Sequence, residues 1–199
     1  MKNILVALAV ILAPNQFANA QTAWHGEPHL NVDLSMLENQ CGYKLGEKLL
    51  RHVKSSASRI ENQIMSVVIY LDVDPFRRAI HAKFSFSCFI ASTTGSSPDT
   101  AHRTTARAEI QAEDSGGRYT RTIEWQREFR GIDWVGTIAY VNSIYGDGEK
   151  RTVPDFFLIC PNKDGMTCFA LEVEKTTLSK KESDLIPGAI REISIPRKF

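Results

Sequence analysis

The sequence predicts an α+β domain. A long N-terminal helix packs on an antiparallel sheet of about seven strands, mostly hairpins, closed by a short C-terminal helix and two disulfides. Three observations carry this reading. Apolar residues recur at three- and four-residue steps over residues 35–56, the period falls to two from residue 64 onward, and four cysteines follow a leader-like N-terminus.

The leader comes first. MKNILVALAVILAPNQFANA holds one basic residue, Lys2, then an apolar run broken by Pro14, and it closes on Ala18-Asn19-Ala20. That is the pattern of a secretory signal peptide with a small-x-small cleavage site, too short in its apolar run to anchor in a bilayer. Residues 1–20 are therefore read as a signal peptide, residues 21–33 as a flexible mature N-terminus and residues 34–199 as one domain. The expected compartment is the periplasm, with secretion beyond the cell as the alternative. Removing Lys2 from the 24 basic residues leaves 23 against 23 acidic ones. A balanced charge argues against nucleic acid or an anionic membrane as a partner, both of which select a basic excess. No later run is long and apolar enough for membrane insertion.

Leu34, Leu37, Cys41, Leu45, Leu49 and Val53 form the apolar stripe of an amphipathic helix over 35–56. Gly42 and Gly46 lie within it, at a cost of roughly 1 kcal/mol each in helix propensity, and imply a close approach to the helix backbone. Residues 64–73 are rich in β-branched side chains and end at Asp74-Pro75, as a strand does. In KFSFSCFI, Phe84, Phe86, Cys88 and Ile90 alternate with serines, the pattern of a half-buried strand. A polar connection follows over 91–102, a length at which loops are often functional.

Three hairpins are expected next. Ala106, Ala108, Ile110 and Ala112 alternate with polar residues over 105–113, and Asp114-Ser115-Gly116-Gly117 turns the chain into 119–129. Gly131 precedes a strand over 133–145, and Gly146-Asp147-Gly148 leads into 152–160. FFLIC and CFALEV flank the last turn. Near the end, Ser179 and Glu182 have capping-box spacing and predict a short helix interrupted at Pro187-Gly188. Residues 189–195 then form either a further helical turn or a closing strand.

Cysteine chemistry is the sharpest local signal. In CPNKDGMTC, a three-residue loop at Lys163-Asp164-Gly165 with Gly165 in the left-handed position sets Cys160 opposite Cys168. Opposed Cβ atoms lie within reach of a disulfide, and the short loop it closes is worth ~2.6 kcal/mol on the chain-entropy model. A zinc clip needs two more ligands at short spacing, and a thioredoxin-type pair needs a two-residue spacer; neither pattern is present. The same register puts Phe157, Ile159, Phe169, Leu171 and Val173 on the core side, and Cys160 and Cys168 on the outer face with Glu172 and Glu174. Cys41 on the helix stripe then pairs with Cys88 on the facing strand, closing a long loop worth ~4 kcal/mol.

Catalytic motifs are missing: HExxH, GxSxG and Walker patterns do not occur. His25 and His29 flank Pro28 in the N-terminal tail, and His52, His81 and His102 have no partner at motif spacing. No cofactor or metal is expected. The most informative surface candidate is TRTIEWQREFRGIDWVG, in which Tyr119, Arg121, Ile123, Trp125 and Arg127 alternate onto one side and Trp134 follows. Interleaved arginine and aromatic residues resemble an interface hot spot; the competing reading is that the tryptophans fill the core. Asp99 and His102 of the polar connection are the other candidate contacts. The functional expectation is an exported, non-catalytic protein that binds a protein partner, as an enzyme inhibitor or a toxin-neutralising immunity protein. An exported hydrolase with a dispersed Ser/His/Asp or carboxylate site is the alternative.

Overall fold

The computed structural model describes residues 34–73, 78–90, 105–114 and 116–196. The signal peptide, the N-terminal tail and the 91–102 connection with Asp99 and His102 lie outside the described residues. The architecture is a mostly-sheet α+β fold. Seven antiparallel strands, β2 (Val53–Glu61), β3 (Ile64–Val73), β4 (Ile80–Phe89), β5 (Thr120–Arg130), β6 (Val135–Gly146), β7 (Glu149–Pro161) and β8 (Phe169–Val173), form one sheet in the order β2-β3-β4-β8-β7-β6-β5. Two meanders thus meet where β4 pairs with β8. Short strands β1 (Lys44–Leu45) and β9 (Ile193–Ser194) pair separately. Among the described residues no helix is long and apolar enough to cross a membrane.

One sheet face carries the main core. Met65, Val67, Ile69 and Leu71 of β3 and Phe84 and Phe86 of β4 pack there with Phe157, Ile159, Phe169, Leu171 and Val173. The cover consists of residues 37–50, helix α3 (Lys180–Ala189) and Ile190, Ile193 and Ile195. The aromatic centre is tight: Phe86 stacks on Phe169 at 4.9 Å, and Tyr43 meets both rings at 5.1 Å. A second, smaller core lies on the opposite face, where helix α2 (Ala106–Asp114) sets Ala106 and Ile110 on Ala139, Val141, Leu158 and Cys160.

Both predicted disulfide pairings are present, Cys41–Cys88 and Cys160–Cys168. The β7–β8 ladder runs to Ile159↔Phe169, the register that opposes the two cysteines of the hairpin, and Gly165 has φ 75°. This staple is on the face away from the aromatic core, as its register requires, yet that face is not solvent. Cys160 is only 1% exposed because α2 covers it.

The long helix over 35–56 does not form. Its stripe is cut into a π-helical turn (Leu37–Cys41), β1, a single turn of helix α1 (Glu47–Leu50) and β2. Gly42 takes φ 71° and ends the π turn, donating its N–H to Glu38, a conformation open to glycine at no steric cost. Gly46 lets the backbone of Glu192 approach, donating to its carbonyl at 2.6 Å, and a Cβ there would stand 3.0 Å from it. The apolar residues still point inward, but from four short elements. From residue 53 the chain is strand, joined to β3 by Asn62-Gln63, both with positive φ, the signature of a two-residue type I′ turn.

The expected strand over 105–113 is helix α2. Only Ala106 and Ile110 of its apolar set are buried, a four-residue spacing that fits one helix face. Alanine, glutamate, glutamine and arginine favour helix over strand. Its N-terminal N–H groups are taken up by the sheet: Ala106 donates to Thr137 Oγ1 and Arg107 to Gln126 Oε1, both at 2.8 Å. Of the two alternatives for the C-terminus, the closing strand is the one found, as β9. The last helix also runs through Pro187 to Ala189 rather than stopping at it.

The capping box of α3 is complete, with the Ser179 hydroxyl accepting from the Glu182 N–H and Glu182 accepting from the Ser179 N–H at 2.7 Å. The Ser179 backbone hydrogen bond lowers the Glu182 pKa most; desolvation opposes it, and the Ser179 hydroxyl and the Arg78 guanidinium lower it further. A depressed folded pKa means that this stabilisation is present above the ordinary value of 4.5 and is lost as pH falls through the folded value. Glu182→Gln is therefore expected to lower the unfolding temperature at neutral pH and to flatten its fall in acid. Thermal unfolding followed from pH 7 downward checks this, and parallel curves for variant and parent would contradict it.

Candidate functional site

The arginine–aromatic segment 119–130 is strand β5, but its side chains do not share one face. The pairing with β6 slips between Thr122 and Trp125, so that Ile123 opposes Val141 and Trp125 opposes Tyr140, with Glu124 as the extra residue. A β-bulge of this kind inverts the alternation beyond it. Tyr119, Arg121 and Ile123 consequently lie on the α2 side of the sheet, where Ile123 joins the small core and Arg121 reaches Glu113 and Asp114. Trp125 and Phe129 lie on the main-core side.

The tryptophans are packing residues. Trp125 sits 5.4 Å from the Tyr140 ring and 5.9 Å from Phe157, with the Arg127 guanidinium stacked at 4.3 Å. Arg127 in turn pairs with Asp184 of α3. The indole N–H of Trp125 is buried without a hydrogen-bond partner among the described residues. Trp134 is buried against Phe129 and Phe169 and donates to the Ile193 carbonyl at 2.8 Å, tying the β5–β6 turn to β9. Trp134 is buried, whereas Trp125 is only half-buried at the margin of the core.

What stays outside is the far end of the β5–β6–β7 meander. Tyr119 is 37% exposed on the α2 side of the sheet, and Tyr145, opposite Thr120, is 55% exposed on the other face. The Tyr119 ring lies over Gly146, where a Cβ would stand 2.1 Å from its Cδ1. The guanidinium groups of Arg118 and Arg151 stand 5.8 and 5.9 Å from its centroid. Its hydroxyl donates to Asp147 at 2.7 Å, and Arg118 Nε donates to the same carboxylate at 2.7 Å. Those bonds, the one from Tyr119 foremost, hold the Asp147 carboxyl below the usual carboxylate range. Asp147 and Gly148 both have positive φ and form the turn that presents this carboxylate. Sequence reading found Tyr119 here but missed Arg118, Asp147 and Arg151. The Gly-Asp-Gly turn was the available signal, because it folds β7 back beside Tyr119.

Two polar groupings lie elsewhere. Asp72 accepts from Lys54 at 3.1 Å and sits 2.6 Å from His81 Nδ1 across the β3–β4 ladder. Desolvation raises its pKa, but the hydrogen bonds from His81 and Lys54 outweigh that and keep the carboxyl below its ordinary value. Asp72 and His52 also line a shallow cavity of about 380 Å³ between α1 and α3. Among the described residues, no serine, threonine or cysteine side chain is bonded to His81, and no cluster of three His, Cys, Asp or Glu side chains could hold a metal. The other grouping is internal. Asp155, 2% exposed, accepts from the Tyr140 hydroxyl and from the Leu178 N–H at 2.7 Å. Burial, then the hydrogen bond and charge of Asp155, push the Tyr140 hydroxyl well above its ordinary pKa. It is a neutral donor that pins the chain ahead of α3 to the sheet.

Compared with known proteins, the chain matches no family model, no curated protein and no solved structure.

Tyr140→Phe removes one donor from buried Asp155 while keeping the ring that stacks on Phe157. A buried carboxylate short of a partner costs about 1–3 kcal/mol. Urea unfolding is expected to show a loss of that size with an unchanged slope; a neutral substitution would mean that Asp155 is served by Leu178 and solvent alone.

Proposed function

We propose that this chain is an exported, non-catalytic binding protein, acting in the periplasm or beyond the cell by contact with a protein partner. An enzyme inhibitor or a toxin-neutralising immunity-type protein is the role that fits best. The observation that carries this reading is the exposed end of the β5–β6–β7 meander. Tyr119 is held over Gly146, near the Arg118 and Arg151 guanidinium groups and bonded to Asp147, while partly exposed. Tyrosine and arginine dominate interface hot spots. A side chain already held in one rotamer loses less entropy when a partner docks. The two disulfides and the leader-like sequence of residues 1–20 support an oxidising, exported setting.

The test is capture from an exported-protein fraction with immobilised parent and variant chains. Tyr119→Ala is expected to weaken capture at least tenfold while leaving the unfolding temperature close to that of the parent. Trp125→Ala is expected to do the reverse in emphasis, lowering stability through lost packing. Parent-level capture by the Tyr119→Ala chain would remove this surface from consideration. An exported hydrolase is the second reading, favoured by the 2.6 Å contact between His81 and Asp72 near the His52 cavity. It requires a serine labelled by a fluorophosphonate probe and lost in His81→Gln; the binding reading requires no such labelling.

A further inference from the structure

The two edges of the large sheet are built differently. Edge strand β5 breaks register twice between Thr122 and Trp125, and Gln126 near its middle is engaged by the N-terminus of α2. Bulges and covering elements are how sheets block further pairing at an edge. Edge strand β2 has one bulge, at Lys54, and then pairs with β3 without interruption from Ser55↔Tyr70 to Glu61↔Ile64. No described element covers its other side.

The turn decides which backbone groups face outward. A two-residue turn is closed by a hydrogen bond between the residues flanking it, so Glu61 and Ile64 form a hydrogen-bonded pair. Antiparallel pairs alternate, and Arg59, Ala57 and Ser55 therefore also spend their N–H and C=O on β3. The outward backbone groups belong to Ile60, Ser58 and Ser56. Around them the strand reads Ser55-Ser56-Ala57-Ser58, with no bulky side chain to hold a second strand away.

We propose that β2 pairs with β2 of a second copy, antiparallel, about a two-fold axis through Ala57. Outward residues must meet outward residues, which leaves a short series of possible registers. The register centred on Ala57 is the one that overlaps the strand with itself over its full length, Val53–Glu61. It sets Ser56 opposite Ser58 of the second copy, Ser55 opposite Arg59, and the two Ala57 residues opposite each other. Charge complementarity supports a copy as occupant. Lys54 stands at one end of the strand, reaching Asp72, and Glu61 at the other, reaching Arg59. Antiparallel self-pairing brings Lys54 of each copy beside Glu61 of the other, and no like charges face each other directly. The contact is isologous, as two-fold dimers are.

The chain's four cysteines are all bridged, so a single added thiol reports the contact. The two Ala57 residues form a non-hydrogen-bonded pair, with Cα atoms about 4.5 Å apart, inside disulfide range. The two Arg59 residues are displaced by four positions, about 13 Å along the strands, and out of range. Sedimentation of the purified protein is expected to give twice the chain mass. Ala57→Cys is expected to form an interchain disulfide on mild oxidation, and Arg59→Cys is not. Ser58→Pro deletes an outward N–H at a site where an edge strand tolerates proline. It should sediment as a monomer that still unfolds cooperatively, at a temperature that, unlike the parent's, does not depend on protein concentration. A parent chain that is monomeric at the highest attainable concentration overturns the proposal, including where another polypeptide fills the edge. So does equal cross-linking of the two cysteine variants, or a Ser58→Pro chain that stays dimeric.

Discussion

The fold depends on one seam, the pairing of β4 with β8. Every other neighbour in the large sheet is a sequence-adjacent hairpin, whereas this pairing joins residues 82–86 to 169–173 and makes one sheet of two meanders. Closing so long a loop costs chain entropy before any contact repays it, and the residues at the seam are those that repay it most. Phe84 opposes Leu171 and Phe86 opposes Phe169, with the two phenylalanine rings stacked. Both disulfides start from the end of this seam. Cys88 leaves one face toward Cys41, and Cys168, just ahead of β8, leaves the other toward Cys160. Thr167 closes the same end, its hydroxyl donating to the Ser87 carbonyl while its own carbonyl accepts from Tyr43. The cross-links and the side-chain hydrogen bonds thus act on the one pairing that local sequence cannot enforce.

Local chemistry was legible wherever one residue type admits one conformation. The turn at Lys163-Asp164-Gly165 set the register of β7 and β8, and Ser179 with Glu182 marked the start of α3. The first twenty described residues misled because an inward-pointing stripe does not require one continuous element. Leu37, Cys41, Leu45 and Leu49 are all buried at helical spacing, but Gly42 and Gly46 break the helix between them. Gly42 is an αL stop and Gly46 a close-approach site, and both uses oppose a helix interior. The α2 segment failed for the converse reason. Alternating alanines carry little information, since an alanine on the wet side of a helix costs nothing.

The candidate surface was half legible for a similar reason. Period-two reading is faithful only while register holds, and one extra residue at Glu124 moves everything beyond it to the other face. Trp125 and Trp134 therefore went inward, while Tyr119, which precedes the bulge, stayed on the outer side at an exposed end. Nothing in TRTIEWQREF marks the bulge by composition. Its cause is tertiary. The β6–β7 ladder is irregular at Val141/Ser143, next to the break in β5, so adjoining ladders bend together. Asp155 falls within that irregular stretch of β7 and accepts from the Tyr140 hydroxyl.

The second layer had a signal of its own. A strand covered on one side alternates, and a strand covered on both reads as an unbroken apolar run. β4 alternates, KFSFSCF, with Ser85 and Ser87 on the face away from the core, and β3 carries Ser66 there. β6 and β7 instead hold the runs IAYV and FFLIC, whose alternate members Ala139, Val141, Leu158 and Cys160 form the small core under α2. Among the described residues the same seam thus divides the sheet into a three-layer half and a two-layer half. In the first, a helix and the Cys160–Cys168 bridge hold the strands from behind. In the second, no described element covers the serine-lined face, and among the described residues its outermost strand, β2, is paired on one side only. Among the described residues the sheet is thus blocked at β5 and unpaired at β2, so its two edges are not equivalent.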